Sequence, residues 1–227
     1  MADDNKPLKY MRYAVGEIAL VVIGILIALQ INNWNEDRRS LAKEKNLLLE
    51  LKVNLETNIS NLENDIERQI QGANSLDLLI DHLESKRPYN DSLATIFIFV
   101  DIAPDIILAS SAFETLKSIG IQILSSENLR QEIINLFEIT YPYLLQETRR
   151  IEDQVWPSTV VPLYQKHFRY KNGKAVPTDY NLLLADNEFI NMLSFRAQLR
   201  KASTIHKKKT VQKTQEIIEL IGKELNK

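Results

Sequence analysis

The hydrophobic pattern is most distinctive near the N-terminus, where residues 18–29 are apolar without interruption. The longer segment 13–34 contains one formal charge, that of Glu17, and has aromatic residues at both ends. A helix of this length rises about 30 Å, the thickness of the hydrocarbon core of a bilayer. Aromatic rings also favour the two headgroup levels. Residues 13–34 are therefore predicted to form one transmembrane helix in contact with the lipid bilayer.

Two other interpretations of this segment are open. A cleaved signal peptide shows an A-x-A site with small residues after its apolar run, whereas here the run ends Ala28-Leu29-Gln30. The apolar core is short enough for a buried helix of a soluble protein, but the segment has no polar face and is rich in β-branched residues. These observations favour an uncleaved membrane anchor.

Beyond the apolar segment, hydrophobic residues recur with steps of four, four and three, as on one face of an amphipathic helix. Residues 35–70 contain no glycine or proline, so the membrane helix is predicted to continue directly into a soluble helix. Gly72 is expected to kink this helix. The predicted buried stripe consists of Leu51, Leu55, Ile59, Leu62, Ile66, Ile70 and Ala73.

Signals for helix ends recur in the rest of the chain. Ser111 and Glu114 have the spacing of a capping box, and Ser126 and Asp186 are predicted to cap two further helices. Pro142 has no backbone donor, and we expect a kink in the helix that follows Ser126. A helical pattern thus extends over most of the chain.

Two segments carry β-type signals. Residues 97–100, FIFV, have high β propensity, so a strand is an alternative to a helix there. Asn172-Gly173 stands between β-prone residues and predicts a two-residue hairpin turn.

The pattern as a whole predicts an all-α fold. A single N-terminal transmembrane helix continues into a long amphipathic helix, and later segments pack around it as an up-and-down helical bundle with one small hairpin. The predicted organisation is a short polar tail (1–12), the transmembrane helix (13–34) and a helical-bundle soluble domain (35–227).

One face of the membrane helix combines small and polar residues. At 100° per residue, Glu17, Gly24, Ala28 and Asn35 fall within about 40° of one another. Small residues four apart allow close helix packing in lipid, which makes this face a candidate for association. Alternatively, Glu17 extends to the nearby basic residues of the tail, or it handles protons or ions.

Composition excludes several function classes. The net charge is −2, which does not indicate a nucleic acid as partner, and the chain has no cysteine for disulfides or thiolate chemistry. Phosphate-binding loops and nucleophile motifs are absent from the sequence, and His82, His167 and His206 have no metal-ligand spacing. No catalytic, cofactor-binding or metal-ligating residue is predicted. Lys207–Lys209 forms either a basic patch or a solvated helix face.

The segments GEIALVVIGILIALQINNWNE (16–36) and FETLKSIGIQILSSENLRQEI (113–133) resemble a family of bacterial single-pass membrane proteins of unknown function. This resemblance implies an N-terminal anchor, a mostly helical domain and a location in the bacterial inner membrane. It implies no functional residue.

The predicted function is therefore a structural, sensing or partner-binding role without catalysis, with a homo-oligomer or another membrane protein as partner. The alternative is a subunit of a transport or ion-coupled complex with Glu17 at the helix interface. A short tail before a first apolar segment is typical of a signal anchor and favours a periplasmic C-terminal domain, although basic residues flank both ends of the segment.

Overall fold

The computed structural model describes residues 6–102 and 105–226. Its contacts divide the chain into two units, Met1–Leu48 and Leu49–Lys227. Helix α1 (Lys6–Glu84) contains 79 residues, so the prediction that the apolar segment continues into a second helical segment without a break is confirmed.

The apolar part of α1 is exposed in the first unit. Within the described chain, α1 is the one helix long and apolar enough to cross a membrane, and none of its 18-residue apolar window is buried against other residues. Leu26, near the middle of the segment, is 59% exposed. The core helix of a soluble protein would instead be mostly covered, so this alternative receives no support.

In the second unit, most of the predicted stripe of α1 is buried. The five buried members are Leu51, Leu55, Leu62, Ile66 and Ala73. Ile59 is half-buried, and the prediction for Ile70 is wrong because Gln69 is buried in its place. Helix α1 continues through Gly72 to Glu84, so the glycine does not end it, and the kink stays a prediction.

The segment after α1 forms two short helices, α2 (Leu93–Ile96) and α3 (Ile98–Asp101). Residues 97–100 are thus not a strand, and Phe97 and Val100 are fully buried. Burial of these aromatic and β-branched side chains in the core stabilises a helical conformation here despite their high strand propensity.

Three asparagines of α1, Asn54, Asn58 and Asn61, form a row that we call the asparagine ladder. Their side chains form hydrogen bonds with the backbone between residues 107 and 112. Asn58 pairs with both backbone groups of Ala109, donating from Nδ2 to its oxygen at 2.9 Å and accepting from its nitrogen at 2.6 Å. Asn61 donates to the carbonyl oxygen of Ile107 at 3.0 Å. The ladder therefore satisfies backbone groups that have no strand partner.

Helix α4 (Ser111–Ile119) begins at Ser111, so the predicted capping box is wrong. The Ser111 hydroxyl is bound to Asn54, whose side chain also accepts from the Ala112 nitrogen. Gly120 ends the helix with a φ of 109°, a conformation that favours glycine. A 3₁₀ turn (Ile121–Ile123) follows.

The next helical stretch comprises α5 (Glu127–Ile134), α6 (Tyr141–Val155) and α7 (Val161–His167). The predicted cap is confirmed, since Ser126 accepts from the Leu129 nitrogen. Six-residue and five-residue π-helical stretches, Asn135–Thr140 and Trp156–Val160, connect the three helices. The first π-helical stretch ends two residues before Pro142, whose backbone nitrogen cannot donate a helical hydrogen bond. The wider turn of the π-helix accommodates this missing hydrogen bond.

The predicted hairpin is confirmed. Strands β1 (Phe168–Lys171) and β2 (Lys174–Pro177) pair antiparallel, with Phe168 opposite Pro177. Asn172 and Gly173 both have positive φ, 53° and 73°, as a type I′ turn requires.

Two helices complete the chain, α8 (Tyr180–Ala185) and α9 (Asn187–Leu225). Asp179 caps α8, and Asp186 caps α9 as predicted, accepting from the Glu188 and Phe189 nitrogens. The protein is thus all-α apart from one hairpin, as the sequence predicts.

Two apolar clusters of the second unit lie near the functional candidates described below. The larger one combines the C-terminal part of α1 with α2, α3, α7, the hairpin and the first turns of α9; its largest members include Phe97, Phe168 and Phe189. The smaller one contains Leu62, Ile66, Ile106, Leu144 and Val211. Along α9, the buried residues Arg200 and Lys207 lie between the residues of the two clusters, whereas on α1 the buried Asp65 lies between Leu62 and Ile66 of the smaller cluster.

Candidate functional site

The predicted association face lies on α1. Glu17, Gly24 and Ala28 are exposed, and Asn35 is half-buried. A Cβ added at Gly24 would meet no atom within 4 Å, so the helix surface is open there. Association through this face stays a prediction.

A buried charged cluster in the second unit is the most unusual group of side chains. We define it as Asp65 and Gln69 of α1, Glu152 of α6, and Arg196, Arg200 and Lys207 of α9. Spacings of four between Asp65 and Gln69, and of four and seven along α9, place the residues of each helix on one face. Their side chains therefore converge where α1, α6 and α9 meet.

Each charged pair in the cluster is short. Lys207, which is 0% exposed, places its Nζ 2.5 Å from Oδ2 of Asp65. Arg196 is 1% exposed and donates from Nη1 to Oε2 of Glu152 at 3.1 Å. Fully buried charges require such partners, because removal from water costs several kcal/mol per ion, on the order of 20 in the idealised limit.

The arginines also satisfy carbonyl groups at the C-terminal end of α3. Arg200 donates from Nη2 to the oxygens of Phe99 and Ile102 at 2.8 and 2.7 Å, and Arg196 donates from Nη2 to the same Ile102 oxygen at 2.9 Å. Helix ends leave such carbonyls without helical partners. The arginines thus fix α3 to α9.

Gly72 makes room for Arg200. A Cβ at this position of α1 would overlap the Arg200 guanidinium. The glycine therefore permits a close approach of α1 and the arginine, which is the structural reason for its place in a long helix.

The cluster carries an excess of positive charge. Its three cations, Arg196, Arg200 and Lys207, face the two carboxylates of Asp65 and Glu152, which leaves one positive charge. Burial, followed by the charge of Arg196, lowers the pKa of Arg200 to about 10. Burial also lowers the pKa of Lys207, although Asp65 opposes this shift.

A cavity of about 170 Å³ adjoins the cluster. Its lining combines apolar, acidic and basic side chains: Gln69, Leu144, Glu147, Thr148, Glu152, Leu199, Arg200, Ala202, Ser203 and His206. Three buried atoms of these residues, Gln69 Oε1, Arg200 Nε and Ser203 Oγ, have no hydrogen-bond partner in the described structure. Such atoms are uncommon in folded proteins, and each calls for a specific explanation.

A second cluster consists of Lys166, His167 and Asp186. Oδ2 of Asp186 lies 2.6 Å from Nζ of Lys166 and 2.7 Å from Nε2 of His167. The Lys166 ammonium, helped by His167 and the backbone N–H of Phe189, holds the pKa of Asp186 below its usual range. Because Asp186 also caps α9, this cluster joins α7 to the start of α9.

The described ranges contain no group of three or more histidine, cysteine, aspartate or glutamate side chains placed to hold a metal ion. His206 is exposed and His82 is half-buried, whereas His167 is buried beside Asp186.

The charged cluster is not predicted by the sequence. The prediction that Lys207 lies in a basic patch or on a solvated helix face is wrong, because Lys207 is buried while Lys208 and Lys209 are exposed. One signal was available: Arg196, Arg200 and Lys207 share a face with the apolar residues of α9.

Comparison with known proteins gives one finding. A model described as "Family of unknown function (DUF6090)" matches residues 17–196, which include most of the apolar segment and the whole of the second characteristic segment. No curated protein matches the chain. No solved structure matches it either.

Proposed function

Since the chain belongs to this family of unknown function, we propose, from its residues and geometry, that it is a membrane-anchored helical protein with a sensing or partner-binding role and no catalytic activity. The observation that carries this proposal is the complete exposure of the apolar window of α1. Apolar side chains on all sides of a helix are stable in lipid and costly in water. A bilayer is the environment that explains them.

The buried charged cluster supports a binding role for the second unit. It lies beside a cavity lined by apolar, acidic and basic side chains, and such mixed linings are typical of ligand sites.

We place the N-terminal tail in the cytoplasm of a bacterial cell and the second unit in the periplasm. A short tail before a first apolar segment supports this orientation, since long domains are translocated largely regardless of charge. A C-terminal alkaline phosphatase fusion should be active. Fluorescence from a reporter that folds only in the cytoplasm would reverse the assignment.

The anchor also supplies a surface for self-association. Gly24 and Ala28 allow the helix backbones of two copies to approach closely, with Glu17 and Asn35 on the same face. Gly24→Leu should reduce chemical crosslinking between copies in native membranes, whereas Ala19→Leu, a similar enlargement on the opposite side of the helix, should not. Equal crosslinking of both variants would contradict a homo-oligomer built on this face.

A transport or ion-coupled complex is the second candidate, and the carboxyl group of Glu17 within the apolar helix favours it. Glu17→Gln preserves size and hydrogen bonding but removes the charge. Loss of a proton-dependent phenotype with unchanged assembly would favour this second candidate over the binding role.

Membrane fractionation tests the proposal as a whole. The full chain should remain in membranes after alkaline carbonate washing, whereas a variant lacking residues 14–34 should be released. The intact mass of the membrane-bound protein should equal that of the uncleaved chain. A shorter mature form lacking the apolar segment would identify a signal peptide instead.

A further inference from the structure

A groove on the first unit lies where the apolar segment of α1 ends. Along the helix, its lining changes from apolar to amide-bearing to cationic side chains: Ala28 and Ile31, then Asn32 and Asn35, then Arg38. At 1.5 Å per residue, these positions span about 15 Å of the helix axis. A phospholipid has the same order of groups, from its acyl chains through its ester groups to its phosphate.

The cationic end of the groove lies at the depth of the lipid headgroups in the proposed anchor. Trp34, which also lines the groove, ends the apolar span. Arg38 is four residues further along α1, a rise of about 6 Å. The headgroup layer extends about 5–7 Å beyond the hydrocarbon core on each side of a bilayer. Arg38 therefore lies at the level of the lipid phosphates.

Arg38 is held in a defined position by the indole ring of Trp34. The central carbon of its guanidinium lies 5.7 Å from the ring centroid, a cation–π contact that restricts a long and flexible side chain. A guanidinium has five N–H donors in a planar fork, and two of them fit the oxygens of one phosphate. The pair is thus preorganised for an anionic headgroup.

Arg38 has no acidic neighbour on its side of α1. The residues three and four positions away are uncharged: Trp34, Asn35, Leu41 and Ala42. Among the described residues that line the groove, none is acidic. Arg39 differs, because Glu36 lies three residues before it on the same side of the helix. Of these two arginines, Arg38 is the one whose charge is left for an external anion.

We propose that this groove binds an anionic phospholipid. Arg38 binds the phosphate, Asn35 faces the glycerol and ester groups, and Ile31 contacts an acyl chain. A zwitterionic lipid suits the groove less, because its ammonium group already neutralises the phosphate and is repelled by Arg38. This inference rests on the proposed membrane anchor, and it adds the class of lipid that the anchor selects.

The groove shares Ala28 and Asn35 with the face proposed for self-association. Trp34 and Arg38, by contrast, lie about 100° and 60° from Asn35 around the helix. The headgroup contacts are therefore beside that face, and lipid binding does not depend on whether copies of the chain associate.

Native mass spectrometry of the full-length chain in detergent micelles tests the lipid class. After removal of bound lipid, the chain is mixed with equal amounts of dioleoyl phosphatidylglycerol, which is anionic, and dioleoyl phosphatidylcholine, which is zwitterionic. Bound lipids are then counted per chain. Phosphatidylglycerol should be preferred about fivefold, the effect expected for one basic residue at an anionic surface.

Two variants remove the same charge at nearly the same depth. Arg38→Gln removes the cation of the groove and should abolish most of the preference. Arg39→Gln is the matched control, because Arg39 lies about 100° away around the helix and does not line the groove. Most of the preference should therefore remain in this variant. Both arginines are exposed, so neither substitution should alter the fold.

Three results would overturn the inference: equal binding of the two lipids by the unchanged chain, a preference that Arg38→Gln leaves unchanged, or the same loss in Arg38→Gln and Arg39→Gln. The last result would indicate attraction of the lipid to any basic residue instead of a site. None of these results affects retention after alkaline carbonate washing, so failure of the lipid class is distinguishable from failure of the proposed anchoring.

Discussion

The two units of the chain depart from ordinary residue distribution in opposite ways. In the first, apolar side chains such as Leu26 are exposed; in the second, charged side chains such as Lys207 and Arg196 are buried. The exposed apolar residues have no partner within the described chain, and this exposure is the basis of the proposed membrane anchor. The buried charges, by contrast, are paired within the second unit.

The Asp65–Lys207 pair gives the largest expected effect. Lys207→Met leaves Asp65 buried without its counter-charge and should lower the free energy of unfolding by about 3–5 kcal/mol. The double variant Asp65→Leu with Lys207→Met removes both charges and should recover most of that loss. Urea unfolding of the full chain in detergent, followed by circular dichroism, measures both.

The exposed pair Lys52–Glu56, at 3.8 Å, supplies the control. Lys52→Met should change the free energy of unfolding by no more than about 1 kcal/mol. If Lys207→Met cost as little as Lys52→Met, the charged cluster would not be buried in solution.

The anchor gives the next largest effect. Leu26→Arg places a charge near the centre of the apolar segment and should raise the apparent free energy of membrane insertion by about 3 kcal/mol. Leu78→Arg, at a leucine of the same helix that is also exposed, should have no such effect. An insertion assay based on glycosylation mapping measures the difference, and equal values for the two variants would be incompatible with a transmembrane segment.

Alanine substitutions at two helical glycines distinguish the effect of close packing on stability from the effect of helix propensity. Gly72→Ala should destabilise the second unit by about 1–3 kcal/mol, because the methyl group displaces Arg200. Gly222→Ala, where a Cβ meets no atom within 4 Å, should stabilise α9 by up to about 1 kcal/mol. Thermal unfolding of both variants checks the opposite signs, and stabilisation by Gly72→Ala would contradict the packing of Arg200 against α1.

The smallest expected effect concerns acid stability. The pKa of Asp186 is held below its unfolded value by Lys166, then by His167 and the Phe189 N–H. Its stabilising contribution is therefore complete above the unfolded pKa, near 4, and is lost as the pH falls toward the lower folded pKa.

Asp186→Asn removes this titration and part of the capping of α9, at a cost of about 1 kcal/mol at neutral pH. Between pH 5 and 3, the free energy of unfolding should fall less steeply in the variant than in the unchanged chain. Parallel decreases in the two proteins would show that Asp186 does not contribute to the acid sensitivity.

Local signals predicted local structure well. The Ser126 and Asp186 caps and the Asn172-Gly173 turn depend on neighbours a few residues away, and all three are confirmed. Ser111 failed because its hydroxyl binds Asn54, a residue 57 positions away. A competing long-range partner is invisible in a short sequence window.

The candidate site could not be predicted from the sequence either, because it also depends on partners that are distant along the chain. Gly72 indicates a kink when only its own helix is considered, but its meaning depends on Arg200 of another helix. Lys207 is likewise predicted to be solvated when only α9 is considered, whereas in the folded chain its Nζ lies 2.5 Å from Oδ2 of Asp65. The fold class follows from periodicity, whereas burial of a charge depends on tertiary pairing.

The most direct test of the anchoring claim uses the fact that the chain has no cysteine. Single cysteines introduced in turn at positions 18–31 of the full chain can carry spin labels in liposomes, and collision rates with oxygen and with a water-soluble nickel complex report their surroundings. We predict high oxygen and low nickel accessibility throughout the segment. High nickel accessibility recurring once per helical turn would instead place one face of α1 in water and contradict a transmembrane anchor.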